Sequence, residues 1–132
     1  MEATARGAKE AGGTTIGVSF DTVGREPNPY IDRVVRTGPL SERLLKLVEL
    51  GDAYVVLKGG TGTLLELACV WEFVNKGVVL RKPIVVMGDF WDKVIETMRL
   101  ESAWEGPGDC TSCISRAETP ADCARILREA LR

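Results

Sequence analysis

Hydrophobic residues follow two alternating patterns along the chain. Short apolar runs such as "DAYVVL" and "KPIVVMG" predict buried strands, whereas "SERLLKLVELG" has apolar residues at helical spacing and predicts an amphipathic helix. Strands that alternate with helices and are apolar throughout favour a doubly wound α/β fold, in which helices cover both faces of a parallel sheet. The predicted helices are 1–11, 41–51, 63–77, 90–104 and 119–132, and the predicted strands are 14–19, 32–37, 52–57, 82–88 and 113–117.

The connecting segments and the length set the domain organisation. Glycine and proline mark the segments 20–30 and 105–113 as loops, and Ser41 and Thr119 are candidate N-caps of the helices that follow them. A length of 132 residues predicts a single domain over 1–132. The chain opens on a helix, whereas a doubly wound domain usually opens on a strand and a glycine-rich turn, so we expect an opening strand-helix unit to be missing.

Composition narrows the function classes. The formal charge is −2 with both signs interspersed, which argues against non-specific nucleic-acid binding. No apolar run approaches the roughly 20 residues of a membrane helix, and "MEATARGAKEAGG" does not resemble a signal peptide, so we expect a cytoplasmic protein that does not enter a membrane. The chain has no histidine, which excludes histidine-based catalysis and restricts any zinc site to cysteines and carboxylates.

The densest chemical signal is a glycine-rich turn in "VVLKGGTGTLLEL". Gly59, Gly60 and Gly62 stand where a predicted strand gives way to a predicted helix, which lets a backbone approach a phosphate closely. Thr61 and Thr63 add hydroxyl groups that could donate to the ligand or cap the helix. The spacing matches neither the P-loop nor G-x-G-x-x-G. The pattern favours phosphate or nucleotide binding, and a tight turn without a ligand is the alternative.

A carboxylate follows this turn at helical spacing. Glu66 lies three residues after Thr63 and four after Gly62, so the three residues share one face of the predicted helix. We expect the carboxylate to face the same crevice as the turn. A solvated glutamate, or one that caps the start of the helix, is the alternative interpretation.

The stretch "GGTGTLLEL" resembles the G-G-x-G-T-x-x-E signature of the Lonely Guy phosphoribohydrolases, many of which carry the label lysine decarboxylase-like. The resemblance extends over most of the chain, to about residue 100. It implies a Rossmann-like fold, a homodimer and hydrolysis of a nucleoside 5′-monophosphate to a free base and ribose 5-phosphate, without metal or cofactor. Carried over, the catalytic residues are Arg43 and Glu66, and the residues that hold the phosphate are Gly59, Gly60, Thr61, Gly62 and Thr63.

The chain departs from the family pattern at three positions near these residues. Lys58 stands where the family has proline, Leu44 where it has lysine, and Leu65 where it has a second glutamate. Two alternatives therefore stay open: a non-catalytic carrier that binds a nucleotide or the molybdenum cofactor, and a dimerising remnant without a ligand. Lysine decarboxylation fits poorly, because it typically needs pyridoxal phosphate on a lysine and no lysine is obviously placed for it.

Two weaker signals lie outside the signature. Cys110 and Cys113 form a C-x-x-C pair after a loop and before a predicted strand, whereas redox pairs usually begin a helix, so we expect ordinary thiols rather than a redox or zinc site. Trp71 and Phe73 lie on the signature helix, where the resemblance implies a homodimer contact. Packing in the core of the chain is the alternative for both.

Overall fold

The computed structural model describes residues 1–20, 28–105 and 108–132. In the described residues, the first helix is followed by two strands, and from there helices and strands alternate, as predicted, with ends that differ from the predicted ones by a few residues. The predicted loops at 20–30 and 105–113 lie partly outside the described residues. The elements are α1 (Glu2–Glu10), β1 (Ile16–Phe20), β2 (Arg33–Thr37), α2 (Leu40–Leu50), β3 (Tyr54–Val56), α3 (Thr61–Asn75), β4 (Ile84–Met87), α4 (Asp92–Glu105), β5 (Ile114–Ala117) and α5 (Pro120–Ala130).

The strands pair in parallel throughout the described residues. β1 pairs with β2, and β4 lies between β3 and β5 in a three-stranded sheet. Parallel strands connected through helices confirm the predicted Rossmann-like α/β class. The chain divides into two compact units, Met1–Leu50 and Gly51–Arg132. The single domain over 1–132 stays a prediction.

The first unit contains α1, β1, β2 and α2. Among residues 1–20 and 28–50, the buried side chains are few and small: Ala5, Thr15, Thr37 and Val48. α2 begins at Leu40, so Ser41 lies inside the helix and the prediction that it is the N-cap is wrong. The carboxylate of Glu42 accepts a hydrogen bond from the Gly38 N–H (2.8 Å) just before the helix.

The core of the second unit is built on β4. Ile84, Val85 and Val86 are completely buried there, as expected for a strand covered on both faces. The same expectation fails for β3 and β5, which flank β4 and expose Val55 and Arg116. From α3, the core receives Leu67, Val70 and Trp71.

Two hydrogen bonds of the second unit test predictions made for α3 and α5. The Trp71 indole donates a hydrogen bond to the Cys110 carbonyl (2.6 Å), so this side chain belongs to the core of its own chain and not to a partner contact. The side chain of Thr119 accepts from the Asp122 N–H (3.1 Å) with Pro120 in the first turn, which confirms the predicted N-cap of α5.

Candidate functional site

The glycine-rich turn connects β3 to α3. Gly60 is the N-cap residue, in an extended conformation (φ −90°, ψ −157°), and α3 begins at Thr61. The Leu64 N–H donates to the Gly60 carbonyl (3.0 Å) and closes the first turn. The N-cap residue is a glycine without a side chain, so the prediction that Thr61 or Thr63 is the N-cap is wrong. The N–H groups of the first helical turn are the kind of donors that bind an anion, which the helix dipole favours.

The three glycines of the turn differ in whether the fold itself requires a glycine. A Cβ on Gly59 would lie 2.7 Å from the Cβ of Thr63 and closer still to its hydroxyl, so the protein itself requires a glycine there. A Cβ on Gly60 or Gly62 would meet nothing within 4 Å, and neither backbone lies in the left-handed region. The protein therefore does not need a glycine at these two positions, and the absence of a side chain leaves open space beside the first turn of α3.

A pocket of about 330 Å³ opens beside this turn. Gly59, Gly60 and Thr61 form one side of it, and these are three of the five residues predicted to hold a phosphate. The remaining lining residues are apolar: Leu64 of α3, Phe90 and Trp91 of the connection after β4, and Val94 of α4. The pocket thus combines backbone donors on one side with an apolar wall on the other.

Trp91 fixes the apolar wall. Its side chain is 3% exposed, and its indole N–H donates to the Leu57 carbonyl (3.1 Å), directly after β3. This bond ties the end of β3 to the connection that follows β4. The ring of Phe90 lies edge-to-face against it, with centroids 4.9 Å apart and planes at 80°, in the range that aromatic pairs prefer.

Sequence reasoning missed this aromatic wall. The pattern places Phe90 and Trp91 inside the predicted helix at 90–104, whereas α4 begins at Asp92 and both rings belong to the preceding connection. The signal that could have found them is the order of "MGDFWD". A glycine directly after an apolar strand indicates a turn at the carboxyl end of that strand, where α/β proteins bind ligands. In the structure, Gly88 makes this turn with a positive φ of 69°.

The predicted catalytic pair is divided between the two units. Glu66 is half-buried in the second turn of α3, close in sequence to the pocket residues Thr61 and Leu64. Arg43 is half-buried in α2 of the first unit, where its Nε donates to the Val18 carbonyl (3.1 Å). Their roles, and the pairing of one with the other, stay predictions.

The cysteines are free thiols in the described residues. Cys113 lies in the turn before β5, and its burial raises the pKa of the thiol, which disfavours the reactive thiolate. Burial also raises the pKa of Cys69 and of Cys123. Across residues 1–20, 28–105 and 108–132, no group of three or more cysteine, aspartate or glutamate side chains is placed to hold a metal ion.

The fold and the turn define a Rossmann-like α/β protein with a glycine-rich strand-to-helix connection. The chain belongs to the family described as "Possible lysine decarboxylase", which it matches over residues 1–126. This is the family of the Lonely Guy-type proteins, so the resemblance seen in "GGTGTLLEL" is confirmed. No protein of curated function matches the chain significantly.

Several solved structures are similar to this one, and two of them are molybdenum cofactor proteins. The molybdenum cofactor carrier protein of Chlamydomonas reinhardtii has a TM-score of 0.72 and 25% identity, over 96% of this chain and 68% of that protein. The molybdenum cofactor binding protein of the phototrophic bacterium Rippkaea orientalis also has a TM-score of 0.72, with 24% identity over 100% of this chain and 71% of that protein. None of the helices in the described residues has the length and hydrophobicity that a membrane crossing needs.

Proposed function

We propose that this chain is a phosphoribohydrolase, which cleaves the N-glycosidic bond of a nucleoside 5′-monophosphate. The observation that carries the proposal is the open space at Gly60 and Gly62, beside an α3 N-terminus whose N-cap residue is a glycine. The backbone N–H groups of the turn would hold the 5′-phosphate, and Gly59, Gly60, Thr61, Gly62 and Thr63 are the residues assigned to it. The family supports the assignment, because the signature residues of the resemblance occupy this turn.

The chemistry needs a carboxylate beside the sugar. As the bond between C1′ and the base nitrogen breaks, its electron pair leaves with the base, which takes up a proton from solvent, and positive charge develops on the ribose, as in glycoside hydrolysis. The Glu66 carboxylate would stabilise that charge and accept a proton from the attacking water, whose oxygen joins C1′. The Arg43 guanidinium would hold the phosphate or orient the carboxylate. The products are the free base and ribose 5-phosphate.

Base release from adenosine monophosphate, followed by chromatography, tests this proposal. We expect the native chain to release adenine and Glu66→Gln to lose the activity by about a hundredfold or more, since the amide can neither take the proton nor carry the charge. Glu72→Gln is the matched control, because Glu72 is an exposed glutamate of the same helix that pairs with Lys76 (3.9 Å). Equal rates for native chain and Glu66→Gln would refute the catalytic assignment.

A non-catalytic carrier is the second candidate. The similarity to the Chlamydomonas molybdenum cofactor carrier protein favours it, since that protein has the same fold at 25% identity. A carrier would bind a phosphorylated ligand at the same turn without releasing a base, and Glu66→Gln would leave its affinity unchanged. Ligand binding without adenine release, by native chain and variant alike, would therefore favour the carrier.

The proposal includes a homodimer, as the family resemblance implies, and a location in the cytoplasm. Trp71 cannot supply the contact, since it is buried in its own chain. Phe73 is half-buried, and the neighbouring Val78 and Leu80 are 64% and 86% exposed, so an apolar contact would use the C-terminal end of α3 and the segment after it. Light scattering that gives the mass of one chain would exclude the homodimer.

A further inference from the structure

Phe90 is held in place although half of its surface is open. Its side chain is 52% exposed, at the edge of the pocket beside the glycine-rich turn. Its neighbour Trp91 is 3% exposed and is bonded to the Leu57 carbonyl, so the edge-to-face contact between the two rings rests on a fixed partner. An aromatic ring that is restrained on one side and open on the other can bind a flat ligand at little cost in side-chain entropy.

The two sides of the pocket differ in chemistry. The side formed by Gly59, Gly60 and Thr61 offers backbone N–H groups, which suit an anion. The side formed by Leu64, Phe90, Trp91 and Val94 offers no charged group and suits an apolar surface. The volume of about 330 Å³ falls in the lower part of the range for small-molecule sites. A ligand that satisfies both sides carries a phosphate at one end and a planar, weakly polar ring near it.

We infer that Phe90 determines ligand specificity by stacking on the planar ring of a phosphorylated heteroaromatic compound. The inference rests on the proposed function, because it takes the phosphate to lie at the turn between β3 and α3. It narrows the ligand to compounds such as a purine nucleotide or a phosphorylated pterin, and it disfavours sugar phosphates without a ring system. Both candidate functions require such a ligand, so Phe90 serves the hydrolase and the carrier alike.

The test compares adenosine monophosphate with ribose 5-phosphate, which has the phosphate but lacks the ring. Both ligands are titrated into Glu66→Gln by calorimetry, because this variant should not consume the nucleotide. Ribose 5-phosphate is also titrated into the native chain. We expect adenosine monophosphate to bind about tenfold more tightly or better, in line with the stacking of one base on one aromatic side chain. Phe90→Ala should remove most of this preference and leave the affinity for ribose 5-phosphate unchanged.

Two further variants separate stacking from general effects. Phe90→Tyr keeps an aromatic face and should keep the preference. Trp104→Ala removes an aromatic side chain that is 83% exposed and does not line the pocket, so it should change neither affinity. Unfolding curves measured for each variant check that the variant is folded under the conditions of the titration.

The possible results distinguish this inference from the proposed function. Equal affinity for both ligands, or a Phe90→Ala variant that retains the preference, would overturn the inference while phosphate binding at the turn stands. A loss of affinity for both ligands in Phe90→Ala would also overturn it, since the side chain would then support the turn rather than the ring. Failure of both ligands to bind the native chain and Glu66→Gln would reject the proposed function, and the inference with it.

Discussion

At the scale of single residues, the best-defined polar contact of the first unit is made by Asp32. Lys9 donates a hydrogen bond to one carboxylate oxygen, and the Thr15 N–H donates to the other (2.8 Å). The side-chain bond from Lys9, followed by the bonds from the backbone and hydroxyl of Thr15, lowers the pKa of Asp32 from 3.8 to about 2. These bonds tie α1 and the segment before β1 to the segment before β2, so the carboxylate joins three parts of the unit.

This contact predicts a pH dependence of stability. Because the pKa of Asp32 is lower in the folded state than in the unfolded state, its contribution is complete above about pH 4 and disappears as the pH falls through about 2. Asp32→Asn should therefore lower the urea midpoint of unfolding near neutral pH, and the difference from the native chain should shrink towards about pH 2. Asp52→Asn, at an exposed aspartate before β3, is the control. A difference that stays constant with pH would contradict the argument.

At the scale of elements, the connection from β3 to α3 predicts opposite behaviour for adjacent glycines. Gly59→Ala should lower the free energy of unfolding by about 1–3 kcal/mol, because its Cβ would overlap the Thr63 side chain. Gly60→Ala should lower the free energy of unfolding by at most about 1 kcal/mol, because alanine is a poorer N-cap residue than glycine. It should weaken the binding of ribose 5-phosphate, because its Cβ would occupy only open space. Urea unfolding and calorimetry measure the two effects.

The control for this pair is Gly7→Ala. Gly7 lies in α1, has open space around it and does not line the pocket, so alanine should raise helix stability and leave ligand affinity unchanged. If Gly60→Ala bound ribose 5-phosphate like the native chain, the space at this position would not be part of the phosphate site.

The sequence pattern predicted correctly those structural features that residues close in sequence decide. The apolar run at 82–88 predicted β4, and the order Thr119, Pro120, Asp122 predicted the N-cap of α5, because both features are decided within a few residues. The N-cap at Ser41 was wrong because α2 starts one residue earlier and the Glu42 carboxylate takes the Gly38 N–H. Competing donors and acceptors of similar strength decide such helix ends, and the pattern does not rank them.

The sequence pattern did not predict the features that depend on tertiary contacts. β3 is only three residues long, although six were predicted. It ends before Leu57, whose carbonyl accepts a hydrogen bond from the Trp91 indole rather than continuing the strand. The same contact builds the pocket wall, which joins residues more than thirty positions apart. The glycine signature located one side of the candidate site, and only the folded chain supplied the other side.

At the scale of the whole molecule, the question is how the two units share stability. The first unit has fifty residues, and its described part, 1–20 and 28–50, has a two-stranded sheet and four buried side chains, among them Ala5 and Val48. Units of this size with so small a core are marginal on their own. This argument supports the prediction that residues 1–132 form a single domain.

A substitution in one unit can report on the other. The three tryptophans all lie in the second unit, so their fluorescence follows the unfolding of that unit. If the chain unfolds as a single domain, Asp32→Asn should lower the midpoint seen by tryptophan fluorescence as much as the midpoint seen by far-ultraviolet circular dichroism. A fluorescence midpoint that stays at the native value, with an earlier phase in the dichroism, would indicate two independently stable units.

The unequal demands on Gly59 and Gly60 have a consequence for the family as a whole. Folding restrains mutation at the first position, whereas under the proposed function it is mainly ligand binding that restrains mutation at the second. Family members that no longer bind a ligand would therefore keep glycine at the first position and accept other residues at the second. This pair of positions offers a simple criterion, readable from sequence alone, for sorting family members into those that still bind and those that have retained only the fold.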